Sequence, residues 1–251
     1  MEINYPTGNQ EARLQTLWRL AFGDPEELIA GFFASGYSPR RCRCAAENGN
    51  VAAALYWFDA EFRGQKFAYL YAVATHPDFR NRGLCRTLMA DTAACLTERG
   101  YDGVLLMPQD SGLREMYGRM GFRDCCTVSE FACGAGEAVA LRPVSRGEFA
   151  ALRRKYLPPD GVIQEGANLS YLERYAAFYA GADFLLAAAP NGDSLSGMEL
   201  LGSAGAAPGI LGALGVSHGR FRTPGTALPG AMFRPLRADV DAPGYFGLIF
   251  D

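Results

Sequence analysis

The 251-residue sequence has little of several things, and each shortage closes off a class of function. It holds only two histidines, and its seven cysteines, at 42, 44, 85, 95, 125, 126 and 133, include no Cys-x-x-Cys. That leaves no spacing typical of a zinc site, so no metal is expected. The cysteine number is odd and unpatterned, unlike a disulfide framework, and core or strand thiols in a reducing compartment are the plainer reading. There is no apolar run of about 18 residues and no basic start followed by an apolar stretch, so neither a membrane span nor a signal peptide is expected, and the protein reads as cytoplasmic. Excess positive charge is missing too. The 24 basic and 27 acidic residues give a net charge of −3, which offers no electrostatic footprint for nucleic acid or an anionic membrane.

What is present is an ordinary globular composition, with 49% apolar and 20% charged residues, and enough length for two domains. Leu14, Leu17, Trp18 and Ala21 fall at helical spacing over Glu11–Phe22, closed by Gly23, and a second helix is expected from about Pro25 to Ser35. Segments 41–46 and 51–58 flank Glu47-Asn48-Gly49-Asn50, a strong hairpin signal. A strand at 66–75, a helix at 85–99 ending at Gly100, a strand at 104–107, a helix at 113–120 and a strand from Phe122 to about Ala132 complete an α/β unit with a mixed sheet. Gly134-Ala135-Gly136 reads as a linker. Beyond it a strand at 139–141, helices at 146–155 and 169–179, a strand at 184–189 and a Pro190-Asn191-Gly192-Asp193 turn echo the first unit. A short helix around 210–214 and closing strands at 231–236 and 245–250 are expected as well. The domains are therefore drawn at 1–133 and 137–251, as weakly repeated halves.

The chemistry concentrates in Val73-Ala74-Thr75-His76-Pro77-Asp78-Phe79-Arg80-Asn81-Arg82-Gly83-Leu84-Cys85-Arg86, at a strand-to-helix junction. Such a loop offers unpaired N–H groups and the positive end of a helix dipole to an anion such as a pyrophosphate. Gly83 permits a positive φ or a close approach, and Arg80, Arg82 and Arg86 add charge. From spacing alone, a solvated basic turn that caps a helix accounts for it equally well.

Arg80 to Cys85 resembles the cofactor signature Q/R-x-x-G-x-G/A of the GNAT N-acetyltransferase superfamily, placed after a strand with that family's V-x-x-H/D-P-x-F/Y-R run. It departs at the last position, where Cys85 replaces Gly or Ala. About thirty residues on, Tyr117-Gly118-Arg119-Met120-Gly121-Phe122 is similar to the family's Y-x-x-x-G-F ending. The resemblance implies a GNAT fold over residues 1–133 and direct transfer of acetyl from acetyl-CoA, as cosubstrate, to a primary amine of a small molecule or peptide in a ternary complex. It implies that Val73, Ala74 and Thr75 pair with the pantetheine, that Asn81, Arg82, Gly83, Leu84, Cys85 and Arg86 receive the pyrophosphate, and that Tyr117 is the general acid protonating the leaving thiolate. The alternative reading of Tyr117 is an aromatic on a helix packed against the sheet.

The base stays open. Asp110 is also a sound N-cap, His76 reads as a turn cap, and Glu61, Asp59, Tyr69 or a water relay are alternatives. The second unit has neither motif, and its glycine-rich 202–215 stretch lacks a Lys or Arg, so a degenerate GNAT-like or accessory half without cofactor is expected there. A catalytically weak acyl-CoA-binding regulatory module is the competing function. Monomer and homodimer both stay open.

Overall fold

The computed structural model describes residues 2–47 and 50–250. They divide into two compact units, 1–123 with 166–171 and 233–241, and 124–165 with 172–232 and 242–251.

In the first unit, β1 (Glu2–Asn4) precedes α1 (Glu11–Phe22) and α2 (Glu26–Ser35). Helix α1 buries Leu14, Leu17 and Trp18, and Gly23, at φ +71°, ends it by donating its N–H to the Arg19 carbonyl, a left-handed cap that glycine takes without penalty. An antiparallel meander follows, made of β2 (Cys42–Glu47), β3 (Asn50–Phe62) and β4 (Gln65–Thr75). The Asn48-Gly49 turn lies outside the described residues; Glu47 and Asn50 on either side are paired. Strand β3 is buried on both faces from Val51 to Phe58 and then alternates, with Ala60 and Phe62 inward. The continuous apolar run hides the strand's true end, because period-two burial resumes only after Phe58. Helix α3 (Leu84–Glu98) crosses to β5 (Gly103–Leu106), parallel to β4, and α4 (Ser111–Gly118) leads to β6 (Arg123–Asp124).

The single strand expected from Phe122 to Ala132 is two strands in different sheets. After β6 the chain leaves the first sheet, and β7 (Thr127–Gly134) belongs to the second. Both Cys125 and Cys126 turn their N–H groups to one carbonyl, that of Ala231, so ladder pairing is interrupted between them.

The second unit continues with β8 (Arg142–Pro143), α5 (Arg146–Tyr156) and β9 (Ile163–Gln164). Helix α6 (Ala167–Leu172), of which all but Leu172 belongs to the first unit, precedes β10 (Ala177–Ala180), β11 (Phe184–Asn191) and β12 (Ser194–Gly202) of the second. Next come α7 (Ala207–Leu214), β13 (His218–Pro224) and β14 (Leu228–Pro229). Its sheet runs β14-β7-β13-β12-β11-β10-β8. Three antiparallel strands, a crossover helix and a parallel strand recur in both halves, as β2-β3-β4-α3-β5 and as β10-β11-β12-α7-β13. Helix α7 packs Ala207, Ile210 and Leu211 with Phe184, Leu186, Leu200 and Phe221. The last strand, β15 (Met232–Pro235), lies between β5 and β6 in the first sheet.

Four expectations change in this half. The helix expected over 169–179 ends at Leu172, whose carbonyl takes the Tyr175 and Ala176 N–H groups. Residues 177–180 are instead a strand with Phe178 stacked on Phe149 at 4.3 Å, a case of tertiary pairing overriding local propensity. The 139–141 segment is not a strand, because Val139 binds the Gly209 carbonyl at the start of α7. Gly134–Gly136 is tied down in the same way, Ala135 to Ser217 and Gly136 to Pro208. Finally, 245–250 is deeply buried but not a strand, since the Gln164 carboxamide accepts from the Leu248 N–H and donates to its carbonyl, at 3.2 and 2.6 Å. A side chain stands where a neighbouring strand would. No helix among the described residues is long and apolar enough to cross a membrane.

Candidate functional site

The site begins with an irregularity in β4. Ala54 pairs with Ala74 and Tyr56 with Tyr71, so Ala72 and Val73 together face Leu55 alone, and Ala72 sits at φ +47°. This is a β-bulge, which bends the strand and re-aims the residues beyond it. Parallel pairing with β5 covers only Phe67–Leu70. Tyr71 to Thr75 therefore runs on beyond the stretch paired with β5.

The loop after β4 is anchored by the His76 N–H on the Ala52 carbonyl, 2.8 Å, and by the His76 Nδ1, which accepts from the Asp78 N–H at 3.3 Å. His76 is thus a turn cap. Asn81 at φ +61° and Gly83 at φ +76°, on either side of Arg82, then turn the chain into α3. Gly83 is the N-cap of α3 and supplies no side chain, so the first-turn N–H groups of Leu84, Cys85 and Arg86 are left without a cap. A Cβ added at Gly83 would meet nothing within 4 Å, so the positive φ rather than crowding is what favours glycine there. Arg80 holds the Thr75 carbonyl through Nε at 3.3 Å, and the Arg82 guanidinium lies over the Phe79 ring at 5.2 Å. The three arginines Arg80, Arg82 and Arg86 are exposed. An uncapped helix start with three exposed arginines beside it is a setting in which an anion can be bound.

Helix α4 delivers Tyr117. Asp110 starts the helix by accepting the Leu113 N–H at 2.7 Å, the capping role that competes with catalysis for this residue. Tyr117 is buried, its ring edge-on to Phe122 at 5.9 Å, and its carbonyl accepts the Met120 and Phe122 N–H groups. The Gly-Phe after the helix therefore closes the turn that fixes the tyrosine. Burial first, and the neighbouring Cys85 thiol second, push its phenol well above the ordinary value, because both disfavour a phenolate. Cys85, itself raised by burial, thus stands beside Tyr117 at the position where the loop pattern differs from Gly or Ala.

Two of the remaining base candidates, Asp59 and Tyr69, have structural partners. Asp59 accepts from the Tyr101 hydroxyl and lies 3.5 Å from Arg41. Tyr69 is buried beside Phe58 and Tyr71. Glu61 is half-buried on β3. Sequence reasoning misses two contributors. Ala72 is one, because nothing about alanine signals a positive φ. Tyr171 is the other; its hydroxyl lies 3.3 Å from that of Tyr71, and its ring packs against Phe32 and Phe58 from a hundred residues downstream. Among the described residues no three His, Cys, Asp or Glu side chains are grouped to hold a metal ion.

Residues 2–125 match the family model described as the acetyltransferase (GNAT) domain. Among solved structures, a GCN5-related N-acetyltransferase from Anabaena variabilis is similar at a TM-score of 0.71 and 15% identity, over 94% of this chain and 73% of that one. One from Kribbella flavida gives 0.70 and 15%, over 94% and 72%. One from Sphaerobacter thermophilus gives 0.58 and 11%, over 97% and 98%. At such identities the likeness concerns the fold, and it extends through both halves. No curated protein sequence matches.

Proposed function

Residues 2–125 are a domain of the GNAT acetyltransferase family, and from that premise we propose that the protein transfers acetyl from acetyl-CoA to a primary amine of a small molecule or peptide, directly, within a ternary complex. The observation that carries the proposal is the uncapped start of α3 at a left-handed Gly83, together with the buried Tyr117 at the end of α4. The N–H groups of Asn81 to Arg86 would hold the pyrophosphate, with Arg80, Arg82 and Arg86 supplying charge, and the β4 edge at Val73, Ala74 and Thr75 would pair with the pantetheine. Tyr117 would give its proton to the sulfur as the C–S bond breaks and the amine nitrogen bonds to the carbonyl carbon. A phenol raised by burial keeps that proton throughout the physiological range, so its part is to hydrogen-bond the developing thiolate and yield the proton as negative charge builds on sulfur. His76 and Asp110 act as caps, so the amine's proton goes to Asp59, Glu61, Tyr69 or water.

The second unit, with neither motif, is read as the GNAT-like or accessory half that binds no cofactor. Free thiols at all seven cysteines support a reducing compartment such as the cytoplasm. The test is Tyr117→Phe, which keeps the ring and its packing on Phe122. CoA affinity and thermal stability should change little while kcat falls by about 10² to 10⁴. Near-normal kcat with an accepted amine would make Tyr117 a packing residue.

A further inference from the structure

Between β6 and β7 two cysteines stand side by side. The Sγ atoms of Cys125 and Cys126 are 3.2 Å apart. Both residues' N–H groups donate to the Ala231 carbonyl, at 3.2 and 3.4 Å, and the Cys126 carbonyl accepts from the Gly230 N–H at 2.8 Å. The Cys125 thiol also points at the Ala231 carbonyl, 3.3 Å, and the Cys126 thiol at that of Pro243, 3.5 Å. The dipeptide is therefore held from three sides with its sulfurs together. Access is asymmetric, because Cys125 is half-buried while Cys126 is buried.

We infer that Cys125–Cys126 is a site of reversible oxidation, at which a low-molecular-weight disulfide links the two adjacent thiols. The accessible Cys125 thiolate attacks one sulfur of the small disulfide, and the other sulfur departs as a thiolate. Cys126 then loses its proton and attacks the Cys125 sulfur, expelling the second small thiolate. Two protein thiols and one small disulfide become one protein disulfide and two small thiols, so electrons and protons balance. The 3.2 Å approach makes the second step intramolecular, with the two sulfurs already neighbours before the bond closes. Reversibility follows from covalent geometry. Adjacent Cα atoms are about 3.8 Å apart, short of the roughly 4.4–6.8 Å of relaxed disulfides, and a strained bond is more easily reduced. The hydrogen bond to Cys125, then burial, hold the Cys126 thiol above its usual range, with Asp160 adding to the effect. The closing step should therefore quicken as pH rises.

The experiment treats the full chain with glutathione disulfide, blocks free thiols by alkylation, and maps the peptides by mass. The expected product lacks two hydrogens, with Cys125 and Cys126 protected and the other five cysteines alkylated, and dithiothreitol restores the original mass. Cys126→Ala should instead stop at a stable mixed disulfide on Cys125, and Cys125→Ser should remove the reaction. A wild-type chain that stays reduced at this pair, ends as a mixed disulfide, or bridges either residue to a different cysteine would overturn the inference. The wild-type map decides this even if a variant folds poorly.

Discussion

Replacing Glu199 by leucine tests how the second unit holds its terminal segment. Arg153 and Glu199 have side-chain exposures of 3% and 0%. The guanidinium makes two bonds to the carboxylate, Nε to Oε2 at 2.6 Å and Nη2 to Oε1 at 2.9 Å, and a third from Nη1 to the Val162 carbonyl at 3.0 Å. The Tyr245 hydroxyl donates to the same carboxylate at 3.0 Å, and Gln164, 3.4 Å from Arg153, binds Leu248. A Cβ at Gly247 would collide with the Glu199 carboxylate, which shows how closely segment 245–250 is laid over it. Glu199→Leu removes the counter-ion and strands a buried cation and the Tyr245 hydroxyl, at a cost of about 3–5 kcal/mol. For a chain of this size that lowers the Tm by roughly 6–20 °C. Added salt should rescue little, because a buried pair is poorly screened. Pairing it with Arg153→Met should recover much of the loss, since a packed apolar pair avoids the desolvation cost. Thermal melts of both singles and the double supply the cycle. A Glu199→Leu chain that melts within about 2 °C of wild type, or a double no better than the single, would refute the reasoning.

CoA at about 100 times its dissociation constant should stabilise the protein by about 2.7 kcal/mol, seen as a rise in melting temperature; Gly83→Asp should abolish the rise by placing a carboxylate in front of the α3 donors. Isothermal titration should return one CoA per chain, and a stoichiometry of two would locate a second site in the unit expected to have none. Stability should hold to about pH 8, begin to fall at about pH 8.5, where the unfolded chain ionises thiols that burial keeps protonated in the fold (Cys42, Cys44 and Cys85), and fall further above about pH 10. Burial raises the Tyr56, Tyr117 and Tyr245 phenols, so each is protonated in the folded chain where the unfolded chain ionises. Their contribution is thus present below the unfolded value of about 10 and lost above it, by up to about 1.4 kcal/mol per pH unit for each phenol. Urea titrations across pH 9–11 measure the slope, which Tyr117→Phe should reduce.

Local chemistry wrote the loop and its helix into the sequence. Gly83 before an apolar-periodic run, Asp110 three residues ahead of Leu113, and Gly121-Phe122 after Tyr117 each act within a few residues, through caps and turns whose geometry depends on neighbours along the chain. Helices α1 and α3 were legible for the same reason, as amphipathic runs closed at Gly23 and Gly100. What the sequence could not specify depends on partners far along the chain. Residues 177–180 are a strand because β11 lies beside them, and 245–250 is held by Gln164, eighty-four residues before Leu248, together with Glu199 and the backbone of Asp160 and Val162. The first sheet is completed by β15, whose Phe233 fills the space over Gly103 and stacks on Phe67 at 5.4 Å. The bulge at Ala72 is set by two-to-one pairing with Leu55, a register that no alanine announces. Periodicity and capping are properties of one segment, whereas strand pairing and the burial of charge belong to pairs of segments that only the folded chain brings together.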